Sequence, residues 1–118
     1  MTAPNLKSPT FITGKTAKYA VTASIATALS NAGGDKVFKI NSILCANVDG
    51  LSAADISVSI RTGQTDRYIA KEISVPAKAT QILCSKETYF YLEEGDSIHA
   101  VASAASDLEL IIGYEDIS

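Results

Sequence analysis

The chain has no tryptophan, one methionine, one histidine, two cysteines and three prolines among 118 residues. Each scarcity removes a class of protein. One histidine and two separated cysteines cannot supply the four ligands of the usual zinc site. Cys45 and Cys84 sit in apolar, strand-like runs, SILCANV and QILCSK, which predicts buried thiols acting as small hydrophobes rather than a disulfide. Charge is scarce too: 19% of residues are Asp, Glu, Lys or Arg, against roughly 25% in average domains. The net charge of −3 leaves no basic field to hold a nucleic-acid backbone. No apolar run reaches the length of a signal peptide or a membrane span, so the expectation is synthesis in a host cytoplasm without a cleaved leader. No P-loop and no glycine-rich strand-to-helix turn is present, since Gly33-Gly34 is too short and lacks the following lysine.

What the chain does have is alternation. Ile56, Val58 and Ile60 alternate with Ser57, Ser59 and Arg61, which reads as a strand with one buried and one wet face. In the last run Leu108, Leu110, Ile112 and Tyr114 share a face and Glu109 takes the other. Lys36 to Val48 is the longest strand. Phe38, Ile40, Leu44, Ala46 and Val48 share one parity, with Ile43 and Cys45 on the other. A strand apolar on both faces is central in a two-sheet packing or covered by a partner. Tyr68 to Val75 changes parity midway, as a bulged strand does, and Pro76 ends it.

The segment Lys15 to Asn31 carries two signals. Val21, Ile25 and Leu29 have helical spacing, but Thr16, Thr22 and Thr27 suit a pleated surface, which favours two short strands with a break near Ser24. Before it, β-like character at Phe11 and Ile12 closes at Gly14. Turn signals stand at Asn31–Asp35, Asp49-Gly50 and Thr62–Asp66. Glu93-Glu94-Gly95-Asp96, between the aromatic run Tyr89–Leu92 and the strand that follows, reads as the tip of a hairpin. Eight to ten short strands and no helix predict an all-β, antiparallel β-sandwich, jelly-roll-like or immunoglobulin-like. One domain spans 10–118, and an extended N-terminal arm with Pro4 and Pro9 precedes it over 1–9.

No constellation for bond-making emerges. His99 has only Ser85, Ser97 or Ser103 as nucleophile candidates and no strained elbow to present one, so it reads as a strand histidine at a surface or interface. Glu93, Glu94 and Asp96 offer too few oxygens for calcium and lack EF-hand spacing, which leaves a solvated turn. Glu115 and Asp116 form an acidic spot of equally low specificity. No catalytic, cofactor-binding or metal-ligating residue is expected. Tyr89 and Tyr91 could give a sugar-stacking face if joined by Asp66 and Arg67.

Three stretches carry a family likeness: Ile40 to Asn47 within KVFKINSILCANVDG, Ile73 to Ala77 (ISVPA), and Leu92 to Ala104 (LEEGDSIHAVASA). With them the chain resembles the small β-sandwich virion proteins of tailed bacteriophages, especially phages of cyanobacteria and other marine bacteria. The resemblance spans roughly Lys36 to Ile117. Cys45 and Cys84 depart from it, since polar or small aliphatic residues are more usual there. The resemblance implies a non-enzymatic virion component without cofactor: a capsid decoration (cement) protein, or a neck or tail accessory. Its partners would be copies of itself and major capsid or neck and tail proteins, with neither nucleic acid nor membrane. Leu6, Pro9, Phe11 and Ile12 of the arm region, with Tyr89 and Tyr91, are the expected interface residues. A carbohydrate-binding module of a host-recognition fibre is the alternative of another class.

Overall fold

The alternating runs become strands of two antiparallel sheets packed face to face in a computed structural model that describes residues 4–118. The strands are β1 (Ile12–Ala20), β2 (Ala26–Ser30), β3 (Val37–Asn47), β4 (Ala54–Thr62), β5 (Thr65–Val75), β6 (Thr80–Cys84), β7 (Phe90–Leu92), β8 (Asp96–Ala102) and β9 (Leu108–Ile117). Among the described residues, a single 3₁₀ turn, Lys86–Thr88, lies between β6 and β7. The first sheet runs β1-β9-β3-β6, with short β7 also paired to β3, and the second runs β2-β8-β4-β5.

The pairs are nested in sequence. β4 pairs with β5, β3 with β6, β2 with β8 and β1 with β9. Folding such a long hairpin over so that successive pairs fall in alternate sheets gives a jelly roll, which selects between the two sandwich types left open by the sequence. The expected break near Ser24 is the first crossing between sheets. There the Val21 N–H donates to the Leu108 carbonyl in one sheet, and the Ala102 N–H donates to the Thr22 carbonyl in the other.

Between the sheets lies one apolar core. Ile40, Ile43 and Cys45 of β3 and Leu108, Leu110 and Ile112 of β9 meet Ile56 and Val58 of β4 and Ile98 and Ala100 of β8. Val21, Val75, Cys84 and Leu92 close it at the crossings.

Four local expectations are corrected. Gly14 does not close a strand, since β1 runs through it opposite Glu115. The Glu93–Asp96 turn forms, with the Asp96 N–H donating to the Glu93 carbonyl at 3.0 Å, but it is not a hairpin tip. β7 pairs with β3 and β8 with β2 and β4, so the chain changes sheets there. A turn signal says where the chain reverses, not which sheet receives the next strand. The parity of β3 also changes midway. The register moves from Ile40 opposite Tyr114 to Ser42 opposite Gly113, leaving Asn41 as a bulge. Phe38 and Ile40 therefore share the inward face with Ile43 and Cys45, while Leu44 and Ala46 turn outward. Finally, the region before β1 is not simply extended: Asn5 to Ser8 form a turn closed by the Ser8 N–H on the Asn5 carbonyl. The first three residues of the expected arm lie outside the described residues.

Two buried asparagines hold the ends of the sandwich. Asn31 Nδ2 donates to the carbonyls of Lys36 and Leu92, and its Oδ1 accepts from the Gly33 N–H. Asn47 Nδ2 donates to the carbonyls of Ser52 and Val75, and its Oδ1 accepts from the Asp49 N–H. Each ties a turn to a strand from elsewhere in the chain.

The Gly33-Gly34 turn is stapled from the other side by Glu94, whose Oε1 accepts from the Gly34 N–H at 3.0 Å. Gly33 sits at φ +111°, and a Cβ there would lie 2.5 Å from Glu94 Oε1. Gly33→Ala is expected to destabilise the fold by about 2 kcal/mol through backbone strain and displacement of that carboxylate. A lower urea midpoint at unchanged slope is the readout.

Candidate functional site

The outer face of the first sheet can be read as rows of register partners. At one end Ile12, Ile117 and Val37 lie side by side, and the next row is Gly14, Glu115, Lys39 and Tyr91. Small residues follow, with Thr16, Gly113 and Ser42 in line. A Cβ on Gly113 would stand 2.9 Å from Ser42 Oγ, so this part of the face is kept low by side-chain size. The fourth row is apolar: Ile111, Leu44 and Ile82 are partners across β9, β3 and β6, with Lys18 of β1 at its end. Ile82 is 61% exposed, and Leu44 and Ile111 are half-buried.

The β3 edge is interrupted beside this row. β7 pairs with Phe38–Ile40 and β6 with Ile43–Ala46, so Asn41 and Ser42 face the gap between them. An open notch of about 410 Å³ occupies that gap, with Leu44 and Ile82 on its apolar side and Asn41, Ser42, Ser85 and Lys86 on its polar side. The bulge at Asn41 both turns Leu44 outward and keeps β6 and β7 from merging into one strand.

The expected interface residues distribute around this face. Phe11 is 67% exposed and Ile12 58%. They are anchored by backbone bonds between Phe11 and Ser118 rather than by their side chains. Leu6 is exposed within the Asn5–Ser8 turn, and Pro9 is half-buried. Tyr89 and Tyr91 are exposed and meet edge to face at 5.8 Å between ring centroids. Lys39 Nζ stands 4.5 Å over the Tyr89 ring. Ile12 and Tyr91 thus lie at the same end of one sheet, on strands three spacings apart, roughly 14 Å.

Asp66 and Arg67 do not join the tyrosines. They belong to β5 in the second sheet, where Arg61 forks onto Asp66 at 3.0 and 2.9 Å. That guanidinium, aided by the Ser59 hydroxyl, holds the Asp66 carboxyl below the usual carboxylate range. The four-residue sugar platform is therefore divided between two sheets, and one face of Tyr89 is already taken by Lys39.

The outer face of β4 is not wet. Ser57 and Ser59 are buried because the strand beside them bulges. Glu72, at φ +52°, donates its N–H to Ser57 Oγ, and Ser59 Oγ donates to Asp66 Oδ1. His99 is likewise corrected from a surface or interface histidine to a buried one, 7% exposed. Its Nε2 lies 3.1 Å from Thr27 Oγ1 and 3.0 Å from Ser97 Oγ, and its Nδ1 has no partner. Burial, then the Arg61 charge, push its pKa below 6.5. Ser97 is thus within reach of a base, but nothing orients the other ring nitrogen, as nucleophilic catalysis would require.

The remaining candidates hold structure. Glu94 staples the Gly33-Gly34 turn, and Asp96 accepts from Thr62 Oγ1 at 2.7 Å. Asp116 is buried against Lys15 at 2.9 Å and Lys36 at 3.8 Å, while Glu115 accepts from Asn41 Nδ2. Cys45 and Cys84 are free, buried thiols, and burial pushes Cys45 up to about 11, which keeps it protonated and unreactive at neutral pH. Among the described residues, no group of three histidine, cysteine or carboxylate side chains is placed to hold a metal ion.

No protein-family model matches the chain. No curated protein matches it either. Among solved structures it is similar to Bacillus endospore appendages, described as a novel family of disulfide-linked pili. That likeness has 11% identity and a TM-score of 0.54, covering 92% of this chain and 87% of that one. It shows a shared fold. A pentameric capsid protein isolated from metagenomic phage sequences aligns more loosely, at 18% identity and a TM-score of 0.42 over 86% of this chain. This chain spans only 60% of that capsid protein, and 62% in a second determination.

Proposed function

We propose that the chain is a non-enzymatic structural subunit of a repeating particle, and specifically a capsid decoration protein of a tailed-phage virion. The observation that supports this most is the apolar row Ile111–Leu44–Ile82 on the outer face of a sheet whose inner face already forms the core. An apolar row beside a notch gives a partner both area to cover and a recess to fill. Phe11 and Ile12, exposed at the end of the same sheet, extend the surface along the chain. The pili that share the fold are themselves assemblies, and the motif likeness to small virion proteins supports a phage setting. A neck or tail accessory would use the same contacts at lower copy number.

Association should be lost without loss of fold when Ile82 is replaced by aspartate. Burying an unpaired carboxylate in an apolar contact is expected to weaken association by at least about tenfold. Sedimentation and capsid co-pelleting are the readouts, with circular dichroism to confirm retained strand content. Removing residues 1–8 should also weaken association while the domain stays folded. If the wild-type chain neither self-associates nor pellets with capsids, or if neither change matters, the structural reading fails. Copy number per particle then separates the positions: hundreds indicate decoration, and a few dozen or fewer indicate neck or tail.

A further inference from the structure

We propose that His99 is an acid-sensitive latch that holds the edge strand β2 on the second sheet and releases it when the imidazole takes up a proton. β2 pairs with β8 alone and forms one edge of its sheet. Thr27 of β2 lies opposite His99 of β8, and its hydroxyl is 3.1 Å from His99 Nε2. That side-chain contact adds to the backbone ladder at the place where the β2–β8 register shifts, between Thr27 and Leu29.

The neutral ring suits this setting. In either neutral tautomer Nε2 shares a hydrogen bond with the hydroxyls of Thr27 and Ser97, and Nδ1 stays unpartnered. Among the described residues it is the buried side-chain nitrogen or oxygen left without a partner. The imidazolium suits the setting badly. It carries a proton on both nitrogens, so a charged N–H at Nδ1 would be buried with no acceptor, and an Nε2–H would oblige any hydroxyl that had donated to it to turn away. An unsatisfied buried charge is among the least tolerated groups in a protein interior.

The surrounding charges do not rescue it. From β4, Arg61 faces the ring and opposes a second positive charge. From β5, Asp66 favours protonation but is already forked by Arg61 and bonded by Ser59. Tyr68, in register with Ser59, has Lys71 over its ring. β2 itself carries no ionisable side chain, and Asp96 at the start of β8 is engaged by Thr62. The cheapest escape is local: moving β2 outward opens the ring to water and gives up from the core only the partly buried Ala28 and Leu29 of that strand.

The sign follows from the depressed value. Above pH 6.5 the ring is neutral folded and unfolded alike, and the latch is shut. As the pH falls below 6.5 towards the lower folded value, the open form gains protons that the closed form refuses, and closure weakens.

Residue-resolved amide exchange on the whole chain tests this. Corrected for the intrinsic pH dependence of exchange, β2 amides should lose protection progressively as the pH falls from about 7.5 to about 5. Amides of β3 and β9 should change far less. His99→Gln, which keeps a hydrogen-bonding side chain but cannot titrate in this range, should remove the pH dependence from β2. In the wild-type chain, the His99 ring resonances should titrate below 6.5, a measurement that needs no variant to fold. Titration at or above 6.5, equal loss of protection in both sheets, or a β2 pH dependence that survives in His99→Gln would each overturn the latch.

Discussion

Ile43→Ala is expected to lower the unfolding free energy by about 3 kcal/mol, while Leu44→Ala, one residue later, should lower it by less than about 1 kcal/mol. Both residues lie in the same apolar run, so composition and local propensity treat them alike. The difference comes from Asn41. With that residue looped out, Ile43 is fully buried against the opposite sheet, and Leu44 stands on the outer face beside Ile82 and Ile111. Truncating Ile43 leaves a cavity in a close-packed core, whereas truncating Leu44 removes a half-exposed side chain that solvent can replace. Urea unfolding of the two variants gives the comparison. Equal losses, or a larger loss at Leu44, would place the bulge elsewhere. Deleting Asn41 should by contrast leave Ile43 inward and Leu44 outward, because Ile40, Ser42 and Ile43 keep Tyr114, Gly113 and Ile112 as partners once the extra residue is gone.

The second large effect is expected at Asn47. Asn47→Ala removes two donors and an acceptor at once, leaving the carbonyls of Ser52 and Val75 and the Asp49 N–H without their partner. Net hydrogen bonds of about 1 kcal/mol each, with added desolvation where the orphaned group is buried, give a loss of about 3 kcal/mol. Asn47→Asp distinguishes hydrogen bonding from packing. It has nearly the same shape but no NH₂ group, so it should be at least as damaging at neutral pH, where it sets a charge against two carbonyl oxygens. If Asp were tolerated and Ala were not, the side chain would be acting through its volume and the bond it accepts from the Asp49 N–H, not through the two bonds it donates. Asn31, with the same bonding pattern at another turn, should respond in parallel.

These two sites also show what the sequence could and could not reveal. Period-two alternation at Ile56–Val58–Ile60 and Leu108–Leu110–Ile112 needed no tertiary knowledge, because each strand has one face on the core and little else competes. The two-residue loop between Thr62 and Thr65, with Gly63 at φ +63°, was legible for the same local reason. The parity of β3 was not, since apolar residues on both sides of the bulge keep either register plausible until the partner strands are known. The Glu93–Asp96 turn is visible in the sequence, but the placing of its two strands in different sheets is not, because pairing is decided by the nested order rather than by the turn.

The candidate surface was half legible. Phe11, Ile12, Tyr89 and Tyr91 are exposed as a surface role requires, while Leu44, Ile82 and Ile111 carry no mark of exposure in the sequence, since an apolar strand residue reads alike on either face. The buried roles of Ser57, Ser59 and His99 depend on bulges in β5 and on a neighbouring Asp66–Arg61 pair, neither of which leaves a periodic trace. Asn31 and Asn47 did leave one. Each directly precedes or lies within two residues of a turn that needs an acceptor for an N–H two positions on, a local pattern asparagine serves well.

The nested pairing has a bearing on how the molecule is made. Ile12 finds its register opposite Ile117, and every residue of β1 waits for a strand near the other end of the chain. Closing so long a loop is entropically slow, which places this topology among the millisecond-to-second folders. The β4–β5 ribbon, needing only a two-residue reversal, is the natural seed, and zippering outward from it would leave β1 until last. During translation, the segment that later borders Phe11 therefore stays without its hydrogen-bonding neighbour until β9 has left the ribosome, a window in which a chaperone or a sister chain could meet it first.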